Sequence, residues 1–156
     1  MMLFWTAALA SLGLDVLVKL LAARFLQEQT IRIGWLAEFR LTHNTGMAFG
    51  MLADQAAAGV LLPLAVIFCG WLLMRRYRST RFTRVACGLV VGGFMGNFVQ
   101  RIAQGYVLDM IYFPWLPFFV CNAADICICF GVALLAFSLI WRPQDWEESV
   151  TKDAEN

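Results

Sequence analysis

The chain has 156 residues, of which 61% are hydrophobic and only 15% charged, with a formal net charge of +1. Its mean hydropathy of +0.69 is too high for a soluble domain, where roughly half the residues are apolar and about a quarter charged. That excludes an ordinary soluble protein, and the absence of a basic surplus gives no sign of nucleic-acid binding; what remains is an integral membrane protein.

A helix needs ~20 mostly apolar residues to cross a bilayer, and four runs supply them. The first, 3–22, lacks a basic start and carries Asp15 and Lys19 inside its apolar stretch. A cleaved leader keeps that stretch clean, so this run is read as a membrane helix of the mature chain. In 23–55, alternation over Thr30–Ile33 and Glu38–Thr42 predicts short strands on the membrane surface. The stretch "NTGMAFGML" follows, with Gly46 and Gly50 as turn or close-approach positions. The second span is 56–74. The connection "RRYRSTRFTR" after it holds Arg75, Arg76, Arg78, Arg81 and Arg84, and so short and basic a loop belongs in the cytoplasm.

The third span is 84–103, where Gly88, Gly92 and Gly96 share one face and allow close helix packing in lipid. Residues 104–120 are rich in aromatics suited to the membrane interface, and Pro114 and Pro117 end any regular helix there. The fourth span is 121–141, and an acidic, solvated tail runs over 144–156. The reading is one domain over 1–143, an all-α protein of four transmembrane helices. Both termini lie in the cytoplasm, and 23–55 and 104–120 lie on the outer side.

Ionisable residues inside spans are functional candidates, because each costs several kcal/mol unless paired or wet. Asp15, Lys19, Asn97, Arg101, Asp109, Asn122 and Asp125 all converge on the outer boundary of this bundle. Asp15 and Lys19, four apart, share a helix face and suit a neutralising pair that fixes helix packing. Arg101, on one face with Asn97, suits either a headgroup contact or a carboxylate or phosphate. Asp109 and Asp125 end two neighbouring segments joined by a connection that doubles back. Two close carboxylates cannot both ionise easily, so they share a proton, and such a pair can activate water while protonating a carbonyl. A second reading stays open: Asp125 also suits a helix N-terminus as a simple cap.

Other chemistries fit less well. The five cysteines, Cys69, Cys87, Cys121, Cys127 and Cys129, lie in or beside apolar runs without a CxxC spacing and are read as small apolar residues. His43 alone cannot build a zinc site. Ser11 and Lys19 are roughly 12 Å apart along one helix, too far for a Ser/Lys hydrolase.

With these residues in hand, the chain resembles lipoprotein signal peptidase, the signal peptidase II family of bacterial membrane aspartyl peptidases. "LDVLVK" resembles that family's LDxxxK element, "NTGMAFGML" its NxGxAFGxL, "GGFMGNFVQR" its GGxxGNxxDR, "GYVLDMIYF" its GxVxDFIxF and "CNAADICI" its NxADxxI. The five stand in the family's order. The resemblance implies four membrane helices with a small extracytoplasmic β-cradle and a short surface helix, in the bacterial cytoplasmic (inner) membrane. It implies cleavage of prolipoproteins before a diacylglyceryl-modified cysteine near the outer face, inhibited by globomycin-type cyclic peptides. By position, Asp109 and Asp125 match the catalytic pair. Asn44, Asn97, Arg101 and Asn122 match polar residues lining the active site, and Asp15, with Lys19, Gly46 and Gly96, is supporting. The mechanism calls for no metal and no organic cofactor, and a monomer suffices.

One departure stands out: Gln100 occupies the place of the family's Asp. Either Gln100 supplies a hydrogen bond and activity survives, or the chain is a divergent, non-cleaving paralogue that binds lipopeptides. A small ion-coupled transporter subunit is a third class, but the charges collect at one depth and leave no path across the bilayer.

Overall fold

A computed structural model describes residues 1–45, 56–77, 79–117 and 119–147. Among the described residues there are four long helices: α1 (Met2–Phe25), α2 (Ala56–Arg76), α3 (Arg81–Gln104) and α4 (Ala123–Trp141). Between them run β1 (Ile31–Ile33), β2 (Ala37–Asn44), β3 (Val107–Tyr112) and β4 (Val120–Cys121). A single 3-10 turn, Pro143–Trp146, closes the described chain. Among the described residues, α1, α3 and α4 are long and apolar enough to cross a membrane. Their surfaces agree: Leu9, Leu20, Phe130, Leu139 and Ile140 are exposed, while Ser11, Asp15, Lys19, Asn97 and Ser138 are buried. Apolar residues outside and polar residues inside is the arrangement that lipid rewards and water penalises.

The glycine face of α3 is the seam against α1. A methyl group at Gly88 would lie 2.5 Å from the Phe4 carbonyl oxygen, and one at Gly92 would collide with that of Ala8. On another face, Gly93 sits equally close to the Ala124 carbonyl of α4. Small residues therefore set the backbone separations on both sides of α3. The helix starts at Thr80, whose hydroxyl accepts from Thr83 N at 3.3 Å. It stops at Gly105, whose φ of +79° and N–H bond to the Arg101 carbonyl turn the chain back.

That reversal leads into a four-stranded antiparallel sheet in the order β1-β2-β3-β4. The chain is thus mostly helical with a small antiparallel sheet. The strands expected near 30–33 and 38–42 form as β1 and β2, but β3 and β4 had no strand signal in the sequence. The reason is burial: Val107, Leu108, Asp109 and Met110 are all buried, and a strand covered on both faces loses its polar–apolar alternation. Met110 joins Ala22 and Leu26 in a small core, with Val18, Phe39, Leu41 and Ile111 packed on it. No short surface helix occurs in the described parts of 26–45 or 105–122; Gly46, Gly50 and most of "NTGMAFGML" lie outside the described residues.

Register matters more than strand number. Phe39 pairs with Ile111, yet Thr42 pairs with Asp109, so β2 carries one extra residue between those pairs. Without that bulge Leu41 would face Asp109. With it, Thr42 and, two residues on, Asn44 share Asp109's face of the sheet.

The fourth helix begins at Ala123, because Cys121 belongs to β4 and Asn122 is the N-cap. The stretch expected to be solvated from Gln144 onward is packed at its start: Asp145 is buried against Ser138 and Arg142.

Candidate active site

Asn122 is the hinge of the site. As N-cap of α4, its side-chain oxygen accepts from Asp125 N at 3.0 Å. In return its backbone N–H donates to Asp125 Oδ2 at 3.1 Å. This reciprocal box satisfies two helix-end donors and clamps the Asp125 carboxylate at the first turn. Because the Asn122 oxygen is committed to a backbone donor, its NH₂ must point the other way. There it donates to Asp109 Oδ1 at 2.6 Å and to Asn97 Oδ1 at 3.0 Å.

The remaining polar groups fall into place by the same bookkeeping. Asn44, delivered by the bulge in β2, donates to Asp109 Oδ2 at 2.8 Å. Asn97 donates to Asp125 Oδ1 at 2.8 Å, and its own oxygen accepts from Lys19 Nζ at 3.0 Å. Lys19 also pairs with Asp15 Oδ2 at 2.7 Å. The other Asp15 oxygen accepts from Ala124 N at 2.9 Å, so a carboxylate on α1 stabilises the N-terminus of α4. Gly96 makes room for it, since a methyl group there would lie 2.5 Å from Asp15 Oδ2. Thus Asp15 and Lys19 form the expected pair, but each also reaches beyond it.

Asp109 and Asp125 therefore meet on one amide network, joined through Asn122. Asp109 is only 1% exposed. Burial lifts its carboxyl from an ordinary 3.8 to about 6, with the amides of Asn44 and Asn122 opposing and the charge of Asp125 adding. Arg101, half-buried and one turn beyond Asn97, exerts its charge on both carboxylates. Cys121, buried beside them, is pushed up to about 12 by burial and by the neighbouring carboxylates, so its thiol stays protonated and unreactive. Gln100, the residue that departs from the family pattern, accepts from Leu108 N at 3.0 Å. It thus anchors the backbone next to Asp109 from α3.

A cavity of about 630 Å³ opens between α1 and α3. Leu12, Val16, Leu20, Val99 and Ala103 line it, together with Asp15 and Lys19. His43, expected to lack zinc partners, stands at this cavity with its ring edge-on to Tyr106 at 4.6 Å.

The family model described as Signal peptidase (SPase) II matches residues 7–141. The chain belongs to the signal peptidase II family. It is accordingly a peptidase and a membrane protein. Among its relatives, the lipoprotein signal peptidase of Symbiobacterium thermophilum is 37% identical over 146 residues, covering 89% of this chain and 95% of that one. The lipoprotein signal peptidase of Azoarcus sp. is 35% identical over 148 residues, covering 88% and 82%. A solved structure titled as a bacterial membrane enzyme obtained by the in meso method superposes with a TM-score of 0.75 at 22% identity, covering 86% of this chain and 85% of that one. The last comparison speaks for the fold alone.

Sequence reasoning missed two links. One is the bond from Asp15 to Ala124 N, and the other is the relay from Lys19 through Asn97 to Asp125. Spacing along a helix shows which side chains share a face; it does not show which neighbouring helix that face meets.

Proposed function

We propose that the chain is an aspartyl endopeptidase that removes signal peptides from prolipoproteins by cleaving before the diacylglyceryl-modified cysteine. The observation that carries this reading is the convergence of Asp109 and Asp125 on Asn122. One partner is lifted to about 6, where it exchanges protons near neutral pH. Together they hold one proton between them. One carboxylate takes a proton from water as its oxygen attacks the scissile carbonyl; the other gives its proton to the carbonyl oxygen. Collapse of the resulting diol breaks the C–N bond, and the amine of the modified cysteine leaves protonated. Asn44, Asn97 and Asn122 hold the carboxylates, and Arg101 supplies positive charge beside the developing oxyanion.

The substrate's lipid anchor binds among apolar helix faces and holds the scissile bond at the pair, a positioning effect. In this reading α2 provides a fourth crossing. The arginine-rich connection from Arg75 to Arg84 faces the cytoplasm, by the preference of basic loops for that side. Both termini then lie in the cytoplasm and the sheet on the outer face of the bacterial inner membrane. The protein works as a monomer.

The test is a gel-shift assay with purified diacylglyceryl prolipoprotein, with and without a globomycin-type cyclic peptide. Cleavage blocked by the peptide and abolished by Asp109→Asn or Asp125→Asn is the expected result. Binding of the peptide without any cleavage by the wild type would overturn it in favour of a non-cleaving paralogue.

A further inference from the structure

The buried ammonium of Lys19 does more than neutralise Asp15. We propose that Lys19 is a positioning residue for the carboxylate pair: acting through Asn97, it fixes how that amide faces and favours the singly ionised state of the pair. This rests on the peptidase reading above and assigns a role inside it.

An ammonium only donates, so Asn97 must turn its oxygen toward Lys19 Nζ, at 3.0 Å. Its NH₂ is thereby directed to Asp125 Oδ1 at 2.8 Å. The same oxygen takes the second NH₂ hydrogen of Asn122 at 3.0 Å, and the other hydrogen goes to Asp109. A donor on α1, together with Asn122, thus fixes the orientation of an amide on α3, and that amide reaches one carboxylate directly and the other through Asn122. Without Lys19, the Asn97 oxygen keeps only the Asn122 NH₂ as its donor, and the amide facing Asp125 is held by one bond fewer. A cation pulling on an amide oxygen also strengthens the N–H on its other side, since bonded chains polarise one another.

The described ionisable groups facing the pair are Asp15 and Lys19 from α1, Arg101 from α3, Asp109 from β3 and Asp125 from α4. The protonated Cys121 and neutral Asn44 and Gln100 complete the surroundings, with His43 exposed on β2. Three carboxylates against two cations leave the cluster neutral when it carries one extra proton, the state a water-activating pair needs. Lys19, 6% exposed, acts with little water between it and the carboxylates, whereas the half-buried Arg101 is more screened.

A lysine that served only to pack α1 would make a different prediction. Compare full-length wild type, Lys19→Gln and Asp15→Asn in lipid nanodiscs, following kcat and KM for diacylglyceryl prolipoprotein across pH. Removing the cation makes ionised carboxylates less favourable, so in Lys19→Gln both limbs of the kcat/KM profile move up by about half a pH unit or more. Removing the anion in Asp15→Asn moves them down. The loss falls on kcat, with KM within about twofold. Lys19→Arg, which keeps the charge, keeps the wild-type limbs and serves if Lys19→Gln fails to insert. Limbs that stay put in Lys19→Gln and Asp15→Asn, whatever happens to melting temperature, overturn the proposal. The infrared band of the protonated carboxyl, titrated in the same samples, reads the same shift without turnover. If the wild type cuts nothing, the peptidase reading fails, while a band that shifts with Lys19→Gln still upholds the electrostatic coupling and one that does not sinks it.

Discussion

Two buried carboxylates lie near opposite ends of α4, a helix about 28 Å long, and they are built differently. At the C-terminal end Asp145 is 2% exposed. Arg142 Nε donates to it at 2.7 Å and Ser138 Oγ at 2.8 Å. That guanidinium holds its carboxyl below the ordinary carboxylate value. At the other end Asp109, equally buried, takes hydrogen bonds from the amides of Asn44 and Asn122 and rises to about 6. The same side chain, with little exposed surface in either place, binds its proton more weakly than usual in one and more tightly in the other. A cation in direct contact locks a carboxylate ionised. Neutral amides position it yet leave its proton within reach of physiological pH.

The largest effect should separate the two ends by activity. Asp109→Asn and Asp125→Asn are expected to lower prolipoprotein cleavage by on the order of a thousandfold or more. Asp145→Asn should stay within about threefold while lowering the melting temperature. Equal loss of cleavage from both ends would break the comparison.

Next comes packing at the site. Gly96→Ala forces a methyl group against the Asp15 carboxylate and should destabilise the protein by about 1–3 kcal/mol, with cleavage down at least tenfold. The matched change at the other end, Ser138→Ala, removes one hydrogen bond to Asp145. It should cost about 1 kcal/mol with cleavage unchanged. Both are read by thermal unfolding in detergent and by the gel-shift assay.

The pH dependence of stability gives opposite signs. Asp109 binds its proton more tightly folded than unfolded. Its stabilising contribution is therefore present at low pH and lost as pH rises toward and through about 6. Asp145 binds its proton more weakly folded, so its contribution is present above the ordinary carboxylate value and lost as pH falls through its own lower one. Melting curves from pH 3 to 8 should lose the upper inflection in Asp109→Asn and keep it in Asp145→Asn. The smallest effect is expected at Gln100: Gln100→Ala frees Leu108 N beside Asp109 and should reduce cleavage a few-fold, while Gln100→Asp should stay close to wild type.

Much of this protein is legible along the chain because lipid imposes local rules. Runs of apolar residues mark the spans, and polar side chains inside them stand out by their cost. The four-residue steps of Asp15–Lys19 and Gly88–Gly92–Gly96 name helix faces directly. The residues that meet are another matter. Asn44 reaches Asp109 across 65 positions and Asp15 reaches Ala124 N across 109. Such pairs depend on a one-residue bulge in β2, on a strand whose double burial erases its alternation, and on glycines that set how near α3 lies to α1 and α4. Hydropathy and helical period are written residue by residue; the register between distant segments is settled only when their backbones pack, and the orientation of every amide in the site follows from that register.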